Sequence, residues 1–345
     1  MADQQMIGVG IIGFGMATKV FHRPLIESVE GLKIVGVLRR SAAETTDVPL
    51  VTDLADFLAI PGLQLAVITT PNESHFPLAK ACLEAGKAVV VDKPFTVTAR
   101  EGEELVALAR RKNLPLTVFH NRRYDGDFLV IQHLYRDRTL GRLVSFESTF
   151  DRFRPELRPG AWREGSGPGA GILYDLGPHL IDQACVLFGK PEAVFAQIRC
   201  ERDGSVIDDA FDLTLMYKEL KVLLRASMLA PVPRPRFLLQ GTKGSYVKYD
   251  LDEQERLLKS GVRPLDTNWN KAQNQPGKIV LERDQEVVTS ELPTPLGDYR
   301  RFYVNLRDAL VSKSKLDIAA EAGVDSVRII EAAFESSRRQ QVIRV

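Results

Sequence analysis

Five short, continuous apolar runs occupy the first 120 residues and limit the possible folds most strongly. Each run is rich in Val, Ile and Leu and is bounded by turn residues. Continuous runs are typical of strands that are covered on both faces, as in a parallel sheet. Helical patterns separate the runs, so the region predicts βαβ units and a doubly wound sheet. The runs are Met6–Ile12, Leu32–Leu38, Leu65–Thr69, Ala88–Val91 and Leu116–Phe119.

The pattern changes after Tyr124, where strand candidates follow one another with few helices. This order favours a mostly antiparallel sheet. We therefore expect an α/β chain with an N-terminal Rossmann-type doubly wound parallel sheet in residues 1–123. Residues 124–345 are expected to form a C-terminal α+β domain with a large, mostly antiparallel open sheet. The polar segment Arg256–Gly277 predicts a long surface loop.

Composition excludes several classes of protein. The 345 residues are 44% hydrophobic and 26% charged, which is ordinary for a globular chain of about two domains. The net charge of +1 argues against nucleic-acid binding driven by overall charge. Cys82, Cys185 and Cys200 show no CxxC spacing, which fits a reducing compartment. With neither a signal peptide nor an apolar run of membrane length, we expect a cytoplasmic protein with no membrane partner.

The first apolar run leads into a glycine motif that predicts a dinucleotide site. Gly13 permits a tight turn, and Gly15 lets the backbone approach a pyrophosphate at the N-terminus of the next helix. Thr18 stands where a third Gly or Ala is usual, and its hydroxyl is a further candidate for a phosphate contact. The alternative is a plain structural turn. The predicted cofactor residues here are Gly13, Phe14, Gly15, Met16, Ala17 and Thr18.

The end of the second strand predicts which dinucleotide binds. An acidic residue at this point usually binds the ribose 2′-hydroxyl of NAD. Here the chain has Arg39, Arg40 and Ser41, which suit a 2′-phosphate, and the first acid is Glu44. NADP is therefore expected rather than NAD, and the alternative is a solvated basic turn.

Two further segments carry candidate catalytic groups. Lys93 follows the fifth strand, where ligands bind in such folds, and it can exchange a proton with a substrate hydroxyl. Asp175 and His179 are four residues apart in a predicted helix and so share one face. Asp182, one turn further on, is a candidate to orient His179. The alternative for Lys93 is an ordinary surface lysine, and the alternative for Asp175 and His179 is an N-capping Asp with a partly buried His. A zinc site is a further alternative, although the sequence offers no second cluster of ligands for it.

Together these motifs resemble the glucose–fructose oxidoreductase, inositol dehydrogenase and rhizopine catabolism family (Gfo/Idh/MocA). The resemblance covers essentially the whole chain. The family's usual Glu-Lys-Pro is Asp92-Lys93-Pro94 here. The stretches His120–Asp125 and Asp151–Pro155 resemble a subgroup containing NADP-dependent scyllo-inositol dehydrogenases and related uncharacterised bacterial oxidoreductases, where tryptophan is more usual at Tyr124.

The resemblance implies roles for individual residues. Lys93, Asp175 and His179 would be the catalytic set, and they would also contact the substrate together with Arg122 and Asp151. The further residues implied at the cofactor are Thr70, Pro71, Asn72, His75, Asp92, Lys93, Pro94 and Asn121, with Trp162 and Arg163 at the nicotinamide end.

The expected activity is hydride transfer between NADP and a secondary hydroxyl of a cyclic polyol or sugar. A non-catalytic NADP-binding sensor is an alternative, although it need not keep all three catalytic residues. A reductase of a sugar ketone or tetrapyrrole is another. An open sheet face needs cover, so a homodimer is expected.

Overall fold

The computed structural model describes residues 6–40, 48–158, 160 and 162–345, and the contacts divide it into two compact units. Unit 1 comprises residues 1–121, 254–272 and 298–324, and unit 2 comprises 122–253, 273–297 and 325–345. The contiguous division expected at 123/124 thus differs from the observed units. Two later segments return to unit 1, and in the second of them Phe302 and Tyr303 pack on Phe119.

Unit 1 contains a parallel sheet, as expected from its apolar runs. Within the described residues its strand order is β3-β2-β1-β4-β5-β6, with every pair parallel. Val9, Ile11, Val67 and Val90 are fully buried, which explains why these runs do not alternate. The strands are β1 Ile7–Ile12, β2 Leu32–Leu38, β3 Leu50–Val51, β4 Leu63–Ile68, β5 Ala88–Val91 and β6 Leu116–Val118.

Helices connect these strands. The first begins with a π-helical turn, Thr18–His22, that leads directly into α1, Arg23–Glu27. A capping box begins α4 at Thr98, whose hydroxyl accepts the N–H of Glu101 while the Glu101 carboxylate accepts that of Thr98. The other helices are α2 Leu54–Leu58, α3 His75–Glu84, α4 Ala99–Lys112, α5 Gly126–Arg136, α6 Ile172–Phe188, α7 Gln254–Lys259, α8 Arg300–Ser312 and α9 Ala320–Arg339.

Unit 2 is built on a nine-stranded sheet in the part of the chain that the structure describes. Its order is β14-β13-β12-β11-β7-β10-β9-β8-β15, and β7 with β10 is its parallel pair. The strands are β7 Leu143–Thr149, β8 Ala193–Arg199, β9 Ala210–Met216, β10 Lys221–Ser227, β11 Phe237–Gly241, β12 Gly244–Lys248, β13 Gly277–Arg283, β14 Glu286–Leu292 and β15 Ile343–Arg344.

One face of this sheet forms the core with helices. Phe146, Leu215 and Phe237 of the sheet belong to the same buried cluster as Phe128 of α5 and Leu180 of α6. The expected class, a doubly wound parallel sheet plus an α+β unit with a large, mostly antiparallel sheet, is confirmed. No helix in the described ranges is long and apolar enough to cross a membrane.

One expectation about the fold is wrong. The segment Arg256–Gly277 was expected to be a surface loop, but α7 occupies its start, and Leu257, Leu258 and Trp269 are buried. The segment is polar in composition, yet these three apolar side chains are enough to bury part of it, while Leu265 remains 67% exposed.

Candidate active site

The glycine turn after β1 has the geometry that the dinucleotide motif requires. Gly13 has φ +101°, and its N–H donates to the Leu38 carbonyl at 2.8 Å. A Cβ at Gly13 would lie 2.8 Å from the Thr69 hydroxyl, so a side chain there is excluded. A Cβ at Gly15 would meet no atom within 4 Å. This open space beside the exposed Gly15 backbone fits a ligand phosphate, and the residues present therefore suit a dinucleotide.

Thr18 uses its hydroxyl inside the protein. Its Oγ1 donates to the Gly13 carbonyl at 2.9 Å and lies 2.7 Å from the hydroxyl of Thr69. Thr18 is fully buried. The hydroxyl thus stabilises the glycine turn and joins it to the end of β4.

Cationic residues follow β2, as predicted. Arg39 is half-buried, with its N–H donating to the Val51 carbonyl at 3.1 Å, and Arg40 is exposed. Ser41 lies outside the described residues.

The other predicted cofactor residues include the turn after β4, where Thr70 and Pro71 are half-buried and Asn72 begins a 3-10 turn. Asn121 is buried.

His75 joins two turns of unit 1. Its Nδ1 is 2.8 Å from the Pro94 carbonyl, and its Nε2 is 2.9 Å from the Thr70 carbonyl. Burial lowers the pKa of His75, although the charge of Asp92 opposes that shift. Since both ring nitrogens face backbone carbonyls and the side chain is 1% exposed, His75 holds the Thr70 and Pro94 turns together.

The turn that carries Lys93 follows β5. Its Lys93–Pro94 peptide bond is cis, and the Asp92 carboxylate accepts the N–H of Lys93 at 2.8 Å. Burial alone would raise the pKa of Asp92, but His22, Lys93 and His75 outweigh it and lower the value to about 2. Asp92 is therefore ionised at neutral pH, and Lys93 stands half-buried at the carboxyl end of the sheet.

The helix α6 places the second catalytic candidate group in unit 2. Asp175 and His179 lie on this helix, one turn apart, with 22% of the Asp175 side chain and 7% of His179 exposed. Asp175 lies beyond the N-cap, which is Gly171. The N-terminal turn is held from outside by Asp208, whose carboxylate accepts the N–H of Leu173 at 2.8 Å.

Asp175 lines a cavity of about 140 Å³ beside the start of α6. Arg152 and Arg163 each approach the Asp175 carboxylate to 3.4 Å. The Arg163 guanidinium also stacks on Trp162, 4.4 Å from the ring centre. The predicted Trp162–Arg163 pair and Asp175 therefore line the same cavity. Its other charged lining residues are Arg154, Arg158, Glu164, Arg202, Asp208 and Asp209.

Three predicted polar residues have partners within unit 2. Arg122 is 6% exposed, pairs with Asp125 at 3.3 Å and lies over the ring of Phe150. Asp151 is 1% exposed and accepts two hydrogen bonds from the Arg234 guanidinium at 2.7 and 2.9 Å and one from its backbone N–H at 3.1 Å. Asp182 binds Arg123 through two hydrogen bonds at 2.6 and 2.8 Å.

Sequence reasoning did not select Arg202 or Asp208 for the site. Arg152 and Arg154 flank Phe153, which forms an isolated bridge with Leu229, and their spacing of two residues turns both to one side. Both belong to the stretch Asp151–Pro155 that carries the family resemblance. Asp208 and Arg202 come from a loop far along the chain and carry no local signal. Among the described residues, no group of three His, Cys, Asp or Glu side chains is placed to hold a metal ion.

Comparison with known proteins defines the class and then the family. One family model, an oxidoreductase-family NAD-binding Rossmann fold, matches residues 7–120, and another, the oxidoreductase-family C-terminal alpha/beta domain, matches 134–345. The protein is therefore an oxidoreductase with an NAD(P)-binding Rossmann fold. It belongs to the Gfo/Idh/MocA family, as its motifs predicted.

Similar proteins cover nearly the whole chain. The chain is 42% identical to the uncharacterised oxidoreductase YdgJ of Escherichia coli over 98% of both chains. It is 36% identical to the NADP-dependent scyllo-inositol 2-dehydrogenase IolW of Bacillus subtilis, over 98% of this chain and 95% of that one. The structure of the oxidoreductase yvaA of Bacillus subtilis superposes with a TM-score of 0.94 at 36% identity and covers 100% of both chains.

Proposed function

We propose that the protein transfers hydride between NADP and a carbon bearing a secondary hydroxyl on a cyclic polyol or sugar, with scyllo-inositol as the first candidate. The observation that carries this proposal is the cavity at the start of α6. There the Asp175 carboxylate accepts hydrogen bonds, and Arg152 and Arg163 donate them. Hydroxyl groups both donate and accept, so a polyol suits such a lining. The similarity to IolW supports the same substrate class.

The dinucleotide in this proposal is NADP. Arg39 and Arg40 follow β2, and the sequence has no acid between Leu32 and Ala43. Guanidinium groups bind phosphate through paired, charge-assisted hydrogen bonds, whereas a carboxylate usually binds the ribose 2′-hydroxyl of NAD.

The proposed roles follow the family's motifs. Bound NADP supplies the hydride acceptor. His179 takes the proton of the substrate hydroxyl, Lys93 assists at the same hydroxyl, and Asp175 positions both His179 and the substrate. Arg122 and Asp151 are proposed substrate contacts. Trp162 and Arg163 are proposed to contact the nicotinamide end of the cofactor.

A homodimer completes the proposal. The sheet of unit 2 packs helices on one face, and the other face mixes half-buried apolar residues, such as Phe195 and Leu238, with the ion pair of Arg225 and Glu147. Such a mixture of apolar and paired polar groups is typical of a protein interface. A second copy of the chain is the occupant we propose.

The test is turnover of scyllo-inositol and related cyclic polyols with NADP, followed by NADPH absorbance. We expect Lys93→Ala and His179→Ala to lower kcat/KM by about 100-fold or more, since each removes a proton-transfer group. Lys33→Ala and His133→Ala alter exposed residues of the same types and should behave as wild type. Unchanged rates in both site variants would refute the assignment. Tight NADP binding without turnover would favour a sensor instead.

A further inference from the structure

A buried cluster of polar side chains links the cofactor helix of unit 1 to the turn that carries Lys93. His22 ends the π-helical turn after the glycine motif, and it is completely buried. Its Nδ1 lies 2.6 Å from the hydroxyl of Tyr303 on α8, which is equally buried. Its Nε2 lies 3.8 Å from the nearer carboxylate oxygen of Asp92. His22 therefore stands between a phenol and a carboxylate.

The chemistry of the two neighbours determines which ring nitrogen of His22 carries a proton. Asp92 is ionised, so it can only accept, and the Nε2 that faces it must be protonated. A neutral imidazole then has Nδ1 free to accept the hydroxyl proton of Tyr303. Burial and the charge of Asp92 raise the pKa of Tyr303 well above its usual value, so this hydroxyl stays protonated. In this arrangement the Tyr303 hydroxyl donates to Nδ1, and the Nε2–H faces the Asp92 carboxylate across 3.8 Å.

The surroundings of the cluster are apolar and tightly packed. The ring of Phe119 lies 4.2 Å from that of His22, and Phe302 packs edge-on against Phe119 at 4.9 Å. A hydrogen bond or ion pair is stronger in such surroundings, and an unpaired carboxylate is more costly. Asp92 faces two other titratable groups, Lys93 and His75.

We propose that His22 is a positioning residue for Lys93. Its Nε2 faces one oxygen of the Asp92 carboxylate at 3.8 Å, which is an electrostatic contact rather than a hydrogen bond, and the other oxygen accepts the backbone N–H of Lys93. His22 lies four residues after Thr18 on the cofactor helix. His22 thereby connects the helix that follows the glycine turn to the turn that carries Lys93. The functional part of this inference rests on the proposed catalytic role of Lys93.

The test compares two substitutions that differ in polarity. In His22→Gln an amide N–H can still face Asp92, whereas His22→Leu fills similar space without a donor. We expect Leu to lower kcat about 10–100-fold through misplacement of Lys93 and Gln to remain within about 5-fold of wild type. Affinity for NADPH, measured by its fluorescence, should change less than about 3-fold in both, because the glycine turn is untouched. Phe302→Leu, in the same pocket, is the control for packing.

A purely structural role predicts the reverse order, since a buried amide is costlier than a buried leucine. Wild-type rates in His22→Leu, with reduced activity or stability in His22→Gln, would overturn the proposal.

Nuclear magnetic resonance gives a readout that needs no turnover. Long-range ¹H–¹⁵N spectra should show the His22 proton on Nε2. The ¹³C signal of the Asp92 carboxyl should not titrate above about pH 4 in wild type, but should do so in His22→Leu, where burial acts without its partner. A proton on Nδ1, or an Asp92 signal unchanged by the substitution, would refute the coupling. If the spectra agree but no polyol is oxidised, the proposed function fails, and the link from His22 to Asp92 stands.

Discussion

Thr18 stands where the dinucleotide motif usually has glycine or alanine, and its contacts explain why the turn accepts it. The hydroxyl bonds the Gly13 carbonyl and meets Thr69, so the larger side chain adds contacts inside the fold. The helix accommodates it in a π-helical turn, Thr18–His22, a feature frequent at functional sites. The departure from the motif is thus compensated locally.

The choice of dinucleotide is testable at Arg39 and Arg40. Replacing both by Ala should raise the Kd for NADP about 10–100-fold, because about two charge-assisted hydrogen bonds to phosphate are lost. The Kd for NAD should change little. Both constants can be measured by calorimetry.

The matched control for this pair is Lys33→Ala, which removes an exposed cation near the other end of β2. An equal loss of affinity for NADP and NAD would show that the arginines act on the fold of the turn instead.

The functional residues that belong to a short sequence motif were predictable from the sequence. The glycine motif, Lys93 and the Asp175–His179 pair each carry their signal within a few residues. His22 and Asp208 do not, because their roles depend on partners 70 and 35 residues away: Asp92 for His22, and Leu173 for Asp208. Single-residue patterns contain no information about such distant pairs.

At the scale of elements, α6 depends on a group that lies outside the helix. Asp208 accepts the Ile172 N–H through its carbonyl at 2.9 Å and the Leu173 N–H through its carboxylate. Gly171 has φ +92°, and a Cβ there would lie 2.1 Å from the Asp208 carboxylate. Two N–H groups that a helix start leaves unpaired are satisfied in this way. The orientation of Asp175 therefore depends on the loop before β9.

The buried Asp208 carboxylate predicts that the stability of the protein depends on pH. Burial raises the pKa of Asp208 from 3.8 to about 6, even though the N–H groups of α6 oppose that shift. The folded state then binds the proton more tightly than the unfolded state. Stability from this group is complete below pH 3.8 and is lost as the pH rises through about 6, by about 3 kcal/mol in total.

Asp208→Asn removes this titration and keeps an acceptor for Leu173. The free energy of unfolding of the variant, minus that of wild type, should therefore increase between about pH 4 and about pH 7. Urea unfolding at several pH values measures it. Asp203→Asn, an exposed carboxylate of the same loop, should show no such trend. A difference that stays constant with pH would contradict the assignment.

Elements with a clear apolar pattern were predictable, and those without one were not. The predicted bounds of β2 and β5 match the structure. The exposed strand β14 was missed, because nearly all its side chains face solvent and show no alternation. Helix α7 was missed because the segment around it is polar.

At the scale of the whole molecule, the open face of the unit 2 sheet is where we expect self-association. Neighbouring strands place Leu223, Glu147, Leu238 and Val247 in register across this face. A charge inserted into such a row opposes burial against a second copy.

Leu238→Arg should therefore convert a dimer into a monomer, as measured by light scattering at micromolar concentration. Val288→Arg on β14, where the valine is already 42% exposed, is the matched control and should stay dimeric. A wild-type protein that is monomeric under these conditions would refute the dimer.

The division of the chain into interleaved units has a consequence for its synthesis. The nucleotide-binding unit takes its last segment from residues 298–324, so a ribosome has made most of the protein before that unit is complete. Until then Phe119 and His22 lack the cover of Phe302 and Tyr303. A nascent chain of this protein therefore exposes apolar surface of its first unit throughout the translation of the second, and it is during this interval that we expect chaperones to bind it.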